Sequence, residues 1–266
     1  MTKRKLLAAA AVGLVMATLA SGVADAKEWT KVRFGVEGAY PPFSETTPSG
    51  ELKGFDIDIA NALCKQMKVE CQLVQQDWDG IIPALLARKY DAIIASMSVT
   101  EERKQKVDFT KKYYQTPARF VRKKGSGLEI NADSLKGKKV GVQRATIHDS
   151  FLTDNYGSQV EVVRYGTQDE ANLDLVAGRV DLLLADTVAL SEGFLKSEDG
   201  KGYEFTGPSF SDPKWFGEGA GIAIRKDDTD LKTKLNAAID AIRADGTWES
   251  IRKKYFDFDI YGDPAT

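Results

Sequence analysis

The chain is poor in the residues that carry chemistry on their own. Its 266 residues include one histidine, His148, and two cysteines, Cys64 and Cys71. A single histidine leaves no His/Cys cluster for a metal site, and no nucleophile–base pair stands out. An excess of charge of one sign is lacking too. Thirty-seven Lys and Arg stand against 39 Asp and Glu, a formal net charge of −2, so there is no nucleic-acid footprint. The short basic runs at Arg122–Lys124, Lys138–Lys139 and Arg252–Lys254 read as solvated faces. Beyond residue 20 no segment approaches the ~20 apolar residues of a membrane-spanning helix.

The first stretch does hold a pattern. Lys3, Arg4 and Lys5 precede an apolar run from Leu6 to Ala20, and Ala24-Asp25-Ala26 fits an A-x-A cleavage site. The alternative is a membrane anchor. About 15 apolar residues give roughly 22 Å of helix, short of a ~30 Å hydrocarbon core. Residues 1–26 are therefore expected to be a signal peptide, and the remainder a soluble, exported, periplasmic protein. In that setting the close pair in "CKQMKVEC" predicts a Cys64–Cys71 disulfide between a helix end and the next strand. The alternative, a metal pair, lacks further ligands.

Strand-like and helix-like segments alternate along the chain. "KVRFGVE", "FDIDIANALCKQM", "ECQLVQQ", "DGIIPALLARK" and "YDAIIAS" are followed later by "KKVGVQ", "TIHDSFLTDNY", "VEVVRY", "QDEANLDLVAGR" and "VDLLLAD". That order argues for parallel α/β sheets. The two runs also align at a shift of 90. Asp79 meets Asp169, Leu85 meets Leu175, Asp91 meets Asp181, and Ala95 meets Ala185. Two similar lobes are predicted, with Ser96 and Asp186 at equivalent strand ends. Ligands of open α/β sheets bind beyond the carboxyl ends of the strands. Two facing lobes would therefore set Glu37, Tyr40, Trp78, Ser96, Ser98 and Arg103 across a cleft from Gln143–His148 and Asp186.

"SMSVTEER", residues 96–103, sharpens this. Thr100 is a good N-cap, so Arg103 falls in the first turn of a helix, where the positive helix end disfavours a cation unless an anion binds beside it. Arg103 can fork onto a carboxylate, and Ser98 can add a hydroxyl. Asp186, across the cleft, suits a cation. An α-amino acid presents both charges at once. The residues alone leave a second reading open, with Arg103 on a solvated helix face and Asp186 capping a loop.

"GVEGAYPPFS", "GFDIDIANALCKQM", "DWDGIIPALL", "DAIIASMSVTEER", "DLLLADTVALSEGFL" and "FGEGAGIAIRKDD" together resemble the periplasmic amino-acid-binding proteins of ABC importers. The likeness is to the lysine/arginine/ornithine and histidine branch of the family 3 solute-binding proteins, and it covers essentially the whole mature chain. It implies the type II two-lobed α/β fold, each lobe a mixed sheet flanked by helices, with two crossover strands as hinge. The expected first lobe is 27–115 plus 219–266 and the second 119–211, with crossovers at 116–118 and 212–218. The resemblance implies that Arg103 and Ser98 take the ligand α-carboxylate, and that Asp186 takes the α-ammonium with Ser96 and Ser98. Tyr40 and Trp78 would sandwich the ligand side chain, and Glu37 and Asp56 would lie near its cationic end. The implied partners are a basic amino acid and an inner-membrane ABC permease, with no cofactor, no metal and a monomeric state.

The second-lobe loop "GVQRATIHDSF" departs from the family pattern. Thr146 fills one hydroxyl position, Ile147 replaces another, and Arg144-Ala145 replaces a polar–glycine pair. Gln143 stays among the lining residues. His148 stands where it could approach the distal end of the ligand, or face solvent. The expected function is a non-enzymatic receptor for arginine, ornithine or lysine. Histidine or an arginine-derived opine is the alternative ligand. A small dehydratase on the same fold, or a sensory subunit binding the same ligand, are the alternative roles.

Overall fold

The computed structural model describes residues 28–262. The expected signal peptide lies outside them. In chain order the first part runs β1 (Lys31–Val36), β2 (Ala39–Tyr40), β3 (Ser44–Thr46), β4 (Leu52–Lys53), α1 (Phe55–Met67), β5 (Glu70–Gln75), α2 (Ile81–Leu86), β6 (Ala92–Ile93), α3 (Glu101–Lys104) and β7 (Asp108–Tyr114). The chain then crosses into β8 (Ala118–Lys123), α4 (Ala132–Leu135), β9 (Lys139–Gln143), α5 (Ile147–Tyr156), β10 (Glu161–Tyr165), α6 (Gln168–Val176), β11 (Leu182–Asp186) and β12 (Tyr203–Phe210). It returns through α7 (Pro213–Phe216) to β13 (Ala220–Ile224), α8 (Thr229–Ala244) and α9 (Thr247–Tyr255). The return connection thus carries a short helix and is not extended throughout.

Two five-stranded sheets result, ordered β5-β1-β6-β13-β7 and β10-β9-β11-β8-β12. In each, the first three strands in order pair in parallel, as the alternation predicts, and the fourth runs antiparallel to both its neighbours. The sheets are therefore mixed. The two halves agree in detail at the 90-residue shift. Asp91 accepts the backbone N–H of Arg33 at 3.0 Å, and Asp181 accepts that of Lys139 at 2.9 Å. Each aspartate pins its third strand to the first.

Both faces of each sheet are covered, which is why the central strands read as unbroken apolar runs. In β11, Leu182 and Leu184 pack with Val140, Val142 and Phe151, while Leu183 and Ala185 face Leu175 and Phe194. The first sheet buries Phe34, Phe55, Ile59 and Leu63 on the α1/α8/α9 side, and Ile81, Leu85, Tyr90 and Ile93 on the α2 side. Each such side chain contributes roughly 1.5–3 kcal/mol. Lys68, in the left-handed region at φ 57°, ends α1, and the Cys64–Cys71 disulfide (Cα–Cα 5.7 Å) ties that end to β5.

Candidate ligand-binding site

The carboxyl ends of the parallel strands meet between the two sheets. Two adjoining cavities lie there. One, of about 330 Å³, is lined by Glu37, Tyr40, Trp78, Ala95, Ser96, Ser98, Arg103, Gln143, Thr146, Ile147 and His148. The other, of about 470 Å³, shares Tyr40, Ser96, Ser98, Ile147 and His148 with it and continues to Asp186, Thr116 and Phe216. Eleven of the twelve expected residues line one or both; Asp56 does not.

Asp56 opens α1 and is fully buried. It accepts hydrogen bonds from the Tyr113 hydroxyl at 2.9 Å and the Ser96 hydroxyl at 3.0 Å. The expectation that it meets the ligand tip is corrected: it supports Ser96 from beneath. Ser96 needs support, because its φ of 52° is left-handed, a conformation costly for any residue with a Cβ. The Tyr113 hydroxyl also accepts the Ser96 backbone N–H, at 3.2 Å. Burial pushes the Asp56 carboxyl up to about 7, against these hydrogen bonds.

Thr100 caps α3 as predicted, its hydroxyl accepting the Arg103 N–H at 3.3 Å. The Arg103 guanidinium donates to the Ser98 carbonyl at 2.9 Å and lies 5.3 Å from the Trp78 ring centre. Among the described residues no carboxylate pairs with it, and burial lowers its pKa to about 10. The residue is half-buried and lines the cavity, so it does not lie on a fully solvated face. Asp186 caps the loop that follows it and also lines the cavity. Its Oδ1 accepts the Val188 and Ala189 N–H groups at 2.8 and 3.0 Å, and the Thr116 hydroxyl donates to Oδ2, while the carboxylate still lines the cavity. Burial raises it to about 6.

At the other end Glu37, only 5 % exposed, accepts the Gln143 amide at 2.5 Å. Burial drives its carboxyl up to about 7; the Gln143 bond opposes this, and the charges of Asp169, Asp77 and Asp79 add to it. No cation is paired with it among the described residues. Tyr40 and Trp78 line the same cavity as Glu37 and Arg103.

The loop before α5 grips the first lobe with three consecutive residues. Gln143 holds Glu37, Arg144 pairs with Asp79, and the Ala145 carbonyl accepts the Trp78 indole N–H at 3.2 Å. Ala145 sits at φ 57°, so a glycine-like conformation persists without the glycine. Thr146 is the N-cap of α5, accepting the Asp149 N–H at 3.2 Å and donating to the Gln143 carbonyl at 2.8 Å. Its hydroxyl is spent on the helix. His148 is buried against Phe216, with ring centres 6.1 Å apart, so the solvent-facing alternative falls. Sequence reasoning missed the Arg144–Asp79 pair, although Arg144 had stood out as a departure; Thr116 carried no signal.

Residues 32–258 match the family of bacterial extracellular solute-binding proteins, family 3. The L-arginine-binding protein of Pseudomonas aeruginosa is 54 % identical over 260 residues, 97 % of this chain and 99 % of the relative. The lysine/arginine/ornithine-binding periplasmic protein of Escherichia coli is 45 % identical, over 93 % and 95 %. Among solved structures, an ancestral arginine-binding protein bound to arginine superposes with a TM-score of 0.78 at 37 % identity, covering 85 % of this chain and 98 % of that one. Fold, cleft and likeness agree, and the chain belongs to the family 3 bacterial extracellular solute-binding proteins.

Proposed function

We propose that this protein captures a basic L-amino acid in the periplasm, arginine first with ornithine and lysine beside it, and delivers it to an ABC permease. One observation carries the reading. Two adjoining cavities are lined by a guanidinium, Arg103, and two buried carboxylates, Asp186 and Glu37, and among the described residues none of the three has a partner of opposite charge. A zwitterion with a positively charged side chain supplies all three partners. Its α-carboxylate lies on Arg103 with Ser98, and the N–H of Ile147 faces it from the start of α5. Its α-ammonium lies on Asp186, its aliphatic stem between Tyr40 and Trp78, and its cationic tip on Glu37.

The connections at 116–118 and 212–218 would be the hinge about which the lobes, 27–115 plus 219–266 and 119–211, close on the ligand. The names of the relatives above support the same ligand class, and a monomer is sufficient, since every proposed contact comes from one chain. A thermal-shift panel of the common amino acids tests the reading. A ligand at 100 times its Kd adds about 2.7 kcal/mol of stability. Arginine, ornithine or lysine should lead; a lead for glutamate, or no response to any amino acid, would refute it.

A further inference from the structure

The carboxylate of an amino acid offers about four lone-pair sites, and the fork of Arg103 fills two of them from the first lobe. The second lobe faces the same space with residues 143–148, whose side-chain donors can be accounted for one by one. The Gln143 amide donates to Glu37 and to the Gly166 carbonyl, at 2.5 and 3.1 Å. Arg144 is held by Asp79, and Ala145 and Ile147 have no donor. The Thr146 hydroxyl donates to the Gln143 carbonyl. His148 remains. It is 9 % exposed, its ring lines both cavities, and no hydrogen bond joins it to any described residue.

Resting on the amino-acid reading above, we propose that His148 is a carboxylate-recognition residue, whose neutral imidazole donates a hydrogen bond to the carboxylate that Arg103 holds. The charged groups lining these cavities are Arg103, Glu37 and Asp186. Both carboxylates already have protein donors, Gln143 for Glu37 and Thr116 with two backbone N–H groups for Asp186. His148 lines one cavity with Arg103, Ser98 and Ile147, and burial and then the charge of Arg103 push its imidazole down to about 3, which keeps it uncharged. The sequence-based expectation let His148 approach the distal end or face solvent; the ring also lines the second cavity, with Ser98, Ile147 and Asp186 and without Glu37 or Trp78, on the carboxylate side of the cleft. Phe216 packs beside the ring. A neutral donor strengthens carboxylate binding without setting a second cation against Arg103.

The test uses the mature protein with His148→Leu and His148→Gln, titrated calorimetrically with arginine and with argininamide, which lacks the carboxylate. A hydrogen bond to a charged group predicts that His148→Leu weakens arginine about 10- to 100-fold. His148→Gln, which keeps a donor, should stay within a few-fold of wild type, and argininamide should bind wild type and His148→Leu alike. Because His148 is the sole histidine, its ring gives one NMR signal, which should shift on saturation with arginine and respond little to argininamide. Equal arginine affinity in wild type and His148→Leu, equal losses for both ligands, or a ring signal unmoved by arginine would each overturn the assignment. Failure of the wild type to bind any basic amino acid would overturn the function reading itself, and this assignment with it.

Discussion

Arg103→Ala separates the cost of this arginine from its use. In the ligand-free protein the guanidinium is held by the Ser98 carbonyl and the Trp78 face, with no carboxylate paired among the described residues. Holding a half-buried cation with so few partners is unfavourable. Removing it should leave the ligand-free melting temperature unchanged or higher. Binding should respond in the opposite sense. Losing a charge-assisted fork and leaving a desolvated carboxylate unpaired costs about 2–5 kcal/mol, roughly 30- to several-thousand-fold in Kd. With arginine at 100 times the wild-type Kd, wild type gains about 2.7 kcal/mol, or roughly 5–11 °C for a chain of this size. At that concentration the variant is at no more than about 3 times its own Kd, and gains under about 1 kcal/mol. Differential scanning fluorimetry with and without ligand reads both quantities. A ligand-free variant several degrees less stable, or one that keeps the full arginine shift, would refute the reasoning.

Glu37→Gln should weaken arginine and lysine while sparing neutral amino acids, because it removes the buried acid at the distal end and keeps its shape; calorimetry against arginine and glutamine checks this. The raised carboxyls of Glu37 (about 7) and Asp186 (about 6) set a pH dependence. In the ligand-free fold both hold protons more tightly than in the unfolded chain, so their contribution to stability falls as pH rises from about 4 to about 7. A cationic ligand displaces those protons, so arginine affinity should rise from about pH 5 to pH 8 with proton release, and a flat profile would count against the site. The Arg144–Asp79 pair joins two half-exposed side chains, 49 % and 40 % accessible. It is worth about 0.2–1 kcal/mol, so Arg144→Gln should speed ligand release by a few-fold at most, less in high salt, as seen by stopped-flow tryptophan fluorescence. Reduction of the Cys64–Cys71 bond should cost about 2–3 kcal/mol of stability without changing ligand preference; mass spectrometry under non-reducing conditions should find no free thiol.

Much of the fold was legible because burial on both faces leaves continuous apolar runs, as at "DAIIAS" and "VDLLLAD". The repeat was legible because both third strands begin at an aspartate with the same backbone duty. The antiparallel placement of β8 and β13 was not, since periodicity records which faces are buried and not where a crossover strand is inserted. That Arg103, Ser98, Glu37 and Asp186 line one cleft was legible because strand ends converge there, with Arg103 in the short helix just beyond one of them. What each polar group is spent on could not. Asp56 is claimed by Tyr113, 57 residues away, and Glu37 meets Gln143 across 106. Thr146 looked like a ligand hydroxyl because the cap it forms uses the same atom.

The position of β13 has a consequence for the order in which the molecule is completed. All strands of the second sheet lie within residues 118–210, one unbroken stretch. The first sheet needs β13, residues 220–224, between β6 and β7, and its core needs α8 and α9 from the last part of the chain. A growing or emerging polypeptide can therefore finish its second half before its first. Until the carboxyl-terminal segment arrives, β6 and β7 have no strand to join them, and the edge of β6 stays open to wrong pairings. Truncations that remove only the tail end should therefore be felt at the beginning of the chain, leaving the middle able to fold.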